Sequence, residues 1–135
     1  MGKTLIAIFA FCLSNATLAD NHSITFKQRQ ASTKMNITSV QITPTSGSIG
    51  AEGSMGEYGT TYLTYTLIAD PDCTGGQVIG EGRGARKDGS FGIGKDTGSY
   101  YRDGTKFVMH TLFRINDGTQ NLDKVVFDAA TRTLT

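Results

Sequence analysis

The stretch TTYLTYTLIADPDCTGGQVIGEGRGAR, residues 60–86, decides the fold. Its first part alternates strictly between two faces, with Leu63, Tyr65, Leu67 and Ala69 on one and Tyr62, Thr64 and Thr66 on the other. A period of two residues is typical of a half-buried β-strand. Pro71 and the pair Gly75-Gly76 then mark a turn, after which residues 77–86 alternate again. The stretch therefore predicts two neighbouring antiparallel strands.

The second of these strands carries glycine at every other position. One face presents Val78 and then Gly80, Gly82 and Gly84, while the other presents Ile79, Glu81, Arg83 and Ala85. Glycine weakens a strand unless the geometry requires it, for sharp bending or for close approach of another backbone or a ligand. Curvature of a barrel is the favoured explanation for this stripe, and a bound ligand is the alternative.

The rest of the chain repeats the same pattern of short alternating runs. Three Asp-Gly pairs, at residues 88–89, 103–104 and 117–118, predict tight hairpin turns. Further strands are expected at residues 23–29, 36–43, 90–95, 99–102, 105–115 and 120–127, with one more beginning at 131–135. Residues 45–59, rich in glycine and serine, are expected to form a long loop. The fold class is therefore all-β, a single antiparallel meander β-barrel of about eight strands, with a β-sandwich as the alternative.

The first nineteen residues predict a secretory signal peptide. Lys3 precedes an apolar run from residue 5 to residue 13, and Thr17 and Ala19 are the small residues before a cut at Asp20. The run is far shorter than the roughly 20 residues that span a bilayer. We therefore expect one domain over residues 20–135, no membrane span, and a secreted, periplasmic or otherwise extracytoplasmic location.

Composition argues against several classes of function. Without Lys3, 12 of the 13 basic residues face all 12 acidic ones, and the charges are interspersed. The sequence shows no basic patch of the kind that would indicate nucleic-acid binding. Cys73 is the one cysteine after the predicted signal, so no internal disulfide framework is expected, and no spacing matches a metal site. We expect no metal and no cofactor, and association into a homo-oligomer stays open.

Few residues stand out as chemical candidates. Glu81 and Arg83 share one strand face, and they would be catalytic candidates if that face pointed into the barrel, where paired charges have shifted pKa values. If the face points outward they are a surface pair. His110 is expected to be packed or to face solvent. The candidate residues for binding a ligand are Tyr65, Glu81, Arg83, Phe107 and Met109.

Three segments carry a resemblance to a known group of barrels. Residues 82–91 (GRGARKDGSF), 102–105 (RDGT) and 59–65 (GTTYLTY) resemble the allene oxide cyclase barrel-like superfamily, which includes dirigent-like proteins. The resemblance implies an eight-stranded antiparallel barrel, often secreted. It also implies that the barrel could steer the cyclisation or coupling of an apolar substrate. No motif allows a catalytic residue to be transferred to a position in this chain.

Three functions are therefore considered, in order of preference. The first is a binding module that holds a small apolar or aromatic ligand in the barrel. The second is a cofactor-free cyclase or isomerase, which requires an inward polar group such as Glu81, Arg83 or Tyr65. The third is a structural or interaction protein with a filled core.

Overall fold

A computed structural model describes residues 24–135, and the predicted signal peptide, residues 1–19, lies outside this range. The described residues form one antiparallel sheet in which each strand pairs with the next along the chain. The strands are β1 (Asn36–Ile42), β2 (Ser46–Ser54), β3 (Thr60–Ala69), β4 (Gly75–Ala85), β5 (Phe91–Asp103), β6 (Lys106–Ile115), β7 (Gln120–Asp128) and β8 (Thr133–Leu134), and a short 3-10 helix, η1 (Gly56–Tyr58), precedes β3. The all-β prediction is confirmed. Within residues 24–135, no helix has the length and hydropathy to cross a bilayer.

The sheet curls until its two ends almost meet. The backbone N–H of Met35, just before β1, donates a hydrogen bond of 2.8 Å to the carbonyl of Leu134 in β8. The predicted meander barrel of about eight strands is confirmed. The sandwich alternative is wrong, because all eight strands belong to one sheet.

The hairpin turns follow the Asp-Gly pairs. Gly89, Gly104 and Gly118 all have positive φ, between 59° and 90°, which glycine adopts without strain. The turn prediction from these pairs is therefore confirmed. These turns set the register of the three hairpins from β4 to β7.

The core lies inside the barrel and is built by the inward face of each strand. Ile49, Leu67, Val78, Met109 and Phe127 are at most 1% exposed. The alternation predicted for residues 60–69 is confirmed, since Leu63, Tyr65 and Leu67 point inward and their neighbours are exposed.

Two predictions of local structure at the start of the domain are wrong. Residues 24–34 do not form a strand, and Ile24 and Phe26 are 79% and 66% exposed. Shortly after this segment, Met35 forms an isolated bridge with Leu134 of β8. Residues 45–59 are not a long loop, because β2 occupies Ser46–Ser54 and pairs with both β1 and β3.

The region after residue 90 also differs from the prediction. The two short runs at 90–95 and 99–102 form one continuous strand, β5, paired with β4 from Phe91 to Tyr101. Gly94 and Gly98 interrupt the apolar signal in the sequence but not the hydrogen-bonded ladder. The inner face of β5 therefore continues through residue 96.

Candidate functional site

A cavity of about 870 Å³ opens inside one end of the barrel. This is the end at which β2 joins β3 through η1, β4 joins β5 and β6 joins β7. Residues 25–33 run across it and form part of its wall. The rest of the apolar wall is supplied by inward side chains from several strands and by residues beside them, namely Met35, Met55, Tyr58, Leu63, Tyr65, Phe113, Ile115, Val125 and Leu134.

Polar side chains lie deeper in the barrel, on neighbouring strands. Tyr65 of β3 is opposite Gly80 of β4, which is opposite Asp96 of β5. Thr111 of β6 is opposite Asp123 of β7. Asp96 and Thr111 are 5% and 0% exposed, and Tyr65 and Asp123 line the cavity. The register therefore gathers two carboxyls, a phenol and a hydroxyl in the barrel interior.

The glycine stripe of β4 faces this interior and makes room for the polar side chains. A Cβ placed at Gly80 would overlap the carboxylate of Asp96. In the same way, a Cβ at Gly82 would overlap Leu63, and a Cβ at Gly94 of β5 would overlap the ring of Phe113. Small and large residues are thus matched across adjacent strands.

Burial dominates the electrostatics of the interior groups. Burial raises the pKa of Asp96, and the nearby charge of Asp123 raises it further. Burial also raises the pKa of Asp123. The pKa of Tyr65 is raised as well, first by burial and then by the charges of both carboxylates. Each of these groups therefore keeps its proton to a higher pH than it would in water.

Several interior polar atoms lack a hydrogen-bond partner within residues 24–135. They are both carboxylate oxygens of Asp96 and the hydroxyls of Thr111 and Thr61. Thr111 and the backbone of Gly80 lie close enough to Asp96 to lower its pKa in part, although neither forms a hydrogen bond of good geometry. Unpartnered buried polar atoms are uncommon in native proteins and call for an explanation.

Weak contacts around Tyr58 lie at the mouth of the cavity. The Asn121 side-chain amide donates a hydrogen bond of 3.3 Å to the Tyr58 hydroxyl. On the other side, the Arg29 guanidinium lies 5.9 Å from the centre of the Tyr58 ring and 3.1 Å from a carboxylate oxygen of Glu57. Arg29 and Glu57 are both at least half exposed, so this ion pair contributes little stability.

The structure separates the residues that the sequence proposed for the site. Tyr65 lines the cavity. Met109 points inward but is completely buried in the core. Phe107 is half-buried at the opposite end, where it packs near Tyr100 and Phe127 and lines a second cavity of about 300 Å³.

Glu81 and Arg83 lie on the outer face of β4, and both are exposed. The condition under which they would be interior charges is therefore not met, because the glycine face of β4 points inward. Arg83 borders the cavity near its mouth, whereas Glu81 is not among the residues that line it. His110 faces solvent and stacks on Tyr101, with 6.2 Å between ring centres.

Sequence reasoning missed Thr61, Asp96 and Asp123 as interior polar residues. Asp96 was hidden because β5 was divided into two runs. The signal that could have found it is the unbroken alternation of Gly92, Gly94, Asp96, Gly98 and Tyr100 along β5.

The described residues and the comparisons with known proteins give no further assignment. Within residues 24–135, no three His, Cys, Asp or Glu side chains are grouped closely enough to hold a metal ion. Comparisons with protein-family models, with curated proteins and with solved structures find no match to this chain.

Proposed function

We propose that this protein binds a small apolar or aromatic molecule inside one end of its barrel. The observation that carries the proposal is the cavity of about 870 Å³ with its wall of aliphatic and aromatic side chains. Ligand sites in proteins are typically concave, mostly apolar, and roughly 300–1,000 Å³ in volume, with a few polar groups that fix orientation.

Four inward glycines line the cavity, namely Gly82, Gly84, Gly92 and Gly94. They add no side chain of their own to the cavity, and the space beside Gly82 and Gly94 is taken by Leu63 and Phe113 of the neighbouring strands. An eight-stranded barrel is just wide enough for its own side chains to fill or for one small ligand. In this barrel the second arrangement is favoured at the end that carries η1.

The test is a titration of the purified protein with an environment-sensitive apolar dye. We expect saturable binding at one site. Thr61→Phe, which places a ring in the cavity, should weaken dye binding about tenfold or more, equivalent to about 1.4 kcal/mol. Thr64→Phe places the same ring on the exposed outer face of the same strand and should leave binding unchanged. Absence of saturable binding by a cooperatively folded sample, or equal binding by both variants, would contradict the proposal.

A cofactor-free isomerase or cyclase is the second candidate, as the resemblance to allene oxide cyclase-like barrels implies. The observation in its favour is that Tyr65 and Asp123 line the cavity and that burial raises the pKa of both. A carboxyl that retains its proton to higher pH is suited to donate it to a bound substrate.

The test of this second function is conversion of a dye-displacing ligand to a product of equal mass. We expect Asp123→Asn to abolish such conversion while the ligand still binds. Glu81→Gln and Arg83→Ala test the assignment made from sequence, and unchanged turnover in both would remove these residues from the catalytic set.

We also propose that the protein is exported and that cleavage precedes Asp20. The support is the charge, apolar run and small residues of positions 1–19. The mass of the protein recovered from outside the cytoplasm should correspond to a chain that begins at Asp20. Recovery of the uncleaved chain in the cytoplasm would refute this.

A further inference from the structure

The cavity wall contains a carboxyl group without a counter-charge. Asp123 lines the cavity from β7, and burial raises its pKa. The ion pairs found within residues 24–135 are Arg29–Glu57 and Arg86–Asp117, so Asp123 takes part in neither. An ionised carboxylate in an apolar wall is unfavourable unless a cation or hydrogen-bond donors stabilise it.

A second, independent observation lies beside it. The Asp96 residue is only 5% exposed, and neither of its carboxylate oxygens has a hydrogen-bond partner among the described residues. Its side chain points into the same barrel interior, over Gly80. Burial raises the pKa of Asp96, and the negative charge of Asp123 raises it further.

No basic side chain of the surrounding strands faces these two carboxyls. The interior groups nearest to them are Tyr65 on β3, Gly80 on β4, Thr111 and Phe113 on β6, and Asn121 on β7. The basic residues of the same strands, Lys95, Arg114 and Lys124, are exposed. Four basic residues border the cavity, namely Lys27, Arg29, Arg83 and Lys124, but none of them forms an ion pair with Asp96 or Asp123 within residues 24–135. The two carboxyls therefore have no cationic partner in the described part of the chain.

The aromatic residues of the cavity also favour a bound cation. Tyr58, Tyr65 and Phe113 line the space into which Asp123 faces. The faces of aromatic rings attract cations, most strongly ammonium groups that have lost their water. A carboxylate among such rings is a typical arrangement for recognising an amine.

We infer that the ligand is a protonated amine carried on an apolar or aromatic body, with its ammonium group held by Asp123. The inference rests on the proposed binding function and adds the chemical class of the ligand. The ammonium donates a charge-assisted hydrogen bond to the carboxylate, which supplies the missing partner. The apolar body of the ligand packs against the part of the wall formed by Leu63, Ile115 and Val125.

Two other arrangements make different predictions. If Asp96 and Asp123 share a proton instead, the interior is less negative, and a neutral ligand that accepts a hydrogen bond is preferred. An anionic ligand is disfavoured by both carboxyls whenever either is ionised. A set of ligands that share one body and differ only in charge therefore separates these arrangements.

The experiment compares 4-phenylbutylamine, 4-phenylbutanol and 4-phenylbutyrate as competitors of the apolar dye at pH 7.5. For the wild-type protein we expect the amine to bind at least tenfold more tightly than the alcohol and the carboxylate to bind most weakly. In Asp123→Asn the preference of amine over alcohol should fall to less than threefold, with the affinity of the alcohol unchanged. Asp103→Asn removes an exposed carboxylate from β5 and should keep the full preference.

The outcomes distinguish the inference from the proposed function. If the alcohol displaces the dye as well as or better than the amine in the wild-type protein, the amine inference is overturned and cavity binding stands. If the dye binds but Asp123→Asn keeps the full preference for the amine, Asp123 is not the partner and the inference is overturned. If neither the dye nor any of the three compounds binds, the proposed function fails together with the inference. The wild-type comparison remains decisive even if Asp123→Asn does not fold.

Discussion

Replacing Asp96 by asparagine should stabilise the protein, and the gain should depend on pH. Asp96 is 5% exposed and its carboxylate oxygens have no hydrogen-bond partner among residues 24–135. A neutral buried polar group left unpartnered costs about 1–3 kcal/mol, and a charged group costs more. Asparagine keeps the shape of the side chain over Gly80 and is itself an unpartnered polar group, so it removes only the additional cost of the charge, about 1.4 kcal/mol for each unit by which folding raises the pKa. At pH 8 we therefore expect the free energy of unfolding to rise by about 1–3 kcal/mol, which is roughly 4–12 °C in Tm for a domain of this size.

The pH dependence follows from the direction of the pKa shift. Burial holds the pKa of Asp96 in the folded protein above its value in the unfolded chain. Between these two values the folded protein binds more protons than the unfolded chain, so this group's contribution to stability falls as the pH rises. As the pH falls through about 4, the carboxyl becomes protonated in the unfolded chain as well, and the advantage of asparagine should shrink toward zero.

Subtracting the free energy of unfolding of the wild type from that of Asp96→Asn at each pH isolates the effect of Asp96 from the opposite pH dependence of other carboxyls. Hydrogen bonds from the Ser90 side chain and backbone lower the pKa of Asp88, and the backbone and side chain of Thr119 lower that of Asp117. These exposed turn residues contribute stability that is lost as the pH falls, in both the wild type and the variant. The difference between the two proteins therefore reports on Asp96.

The assay is chemical denaturation at a series of pH values between 3.5 and 8.5, followed by circular dichroism. Asp103→Asn, which removes an exposed carboxylate from the same strand, should change the free energy of unfolding by no more than about 0.5 kcal/mol at any pH. The reasoning would be refuted if Asp96→Asn were destabilising at pH 8, or if its effect were the same at pH 4 and pH 8. Either result would mean that the Asp96 carboxylate has a stabilising partner in the folded state.

Three further changes test the packing and the mouth of the barrel. Gly80→Ala should destabilise the protein by about 1–3 kcal/mol because the new Cβ overlaps the Asp96 carboxylate. In a double-mutant cycle measured by urea denaturation, most of this loss should disappear when Asp96 is also replaced by alanine. In the same assay, Ile49→Ala should lower the free energy of unfolding by about 2–5 kcal/mol and Ile79→Ala by less than about 1 kcal/mol. The reason is that Ile49 is fully buried on β2, whereas Ile79 is 50% exposed. Equal losses would place β2 outside the core. Arg29→Ala removes the contacts with Glu57 and Tyr58 and should speed dye entry in stopped-flow fluorescence with little change in Tm, whereas an unchanged rate would show that residues 25–33 do not limit access.

The strands that the sequence predicts well are those whose alternation is carried by large side chains. Residues 60–69 alternate tyrosine, leucine and threonine, and β3 begins and ends at the predicted residues. In β2 the inward signal is carried by Ile49 and Ala51 among glycines and serines, so local preference favours a loop. That segment becomes a strand because β1 and β3 pair with it on both edges, which is a tertiary effect absent from any short window of sequence.

The opposite error, a strand predicted at residues 23–29, has the same origin. Ile24 and Phe26 alternate correctly, but a strand also needs a partner to pair with, and residues 24–29 pair with no strand. Residues 25–33 instead cross the end of the barrel and become part of the cavity wall. Alternation can therefore indicate that a segment is able to form a strand without showing that a partner is available.

The candidate site was less predictable than the fold because its key residues break the rule that places acids outside. Composition and spacing direct attention to Glu81 and Arg83, which are charged neighbours on one face, yet the register turns that face to solvent. Asp96 and Asp123 are isolated acids in the sequence, separated by the whole of β6 and brought into one interior only by the pairing of β5, β6 and β7. Sequence identifies such residues only when the whole meander is laid out in register.

The polar interior and the glycine stripe belong to one arrangement. Gly80 gives space to the carboxylate of Asp96, so the glycine lowers the steric cost of placing an acid inside the barrel but supplies no charge to offset it. An aliphatic residue at position 96 would fill the interior without an electrostatic penalty, and stability alone would favour it. A barrel that retains two interior acids beside an apolar cavity gives up stability at that point. The loss is offset if a bound cation restores the missing partner, so the ligand that binds most tightly should also be the one that raises Tm the most.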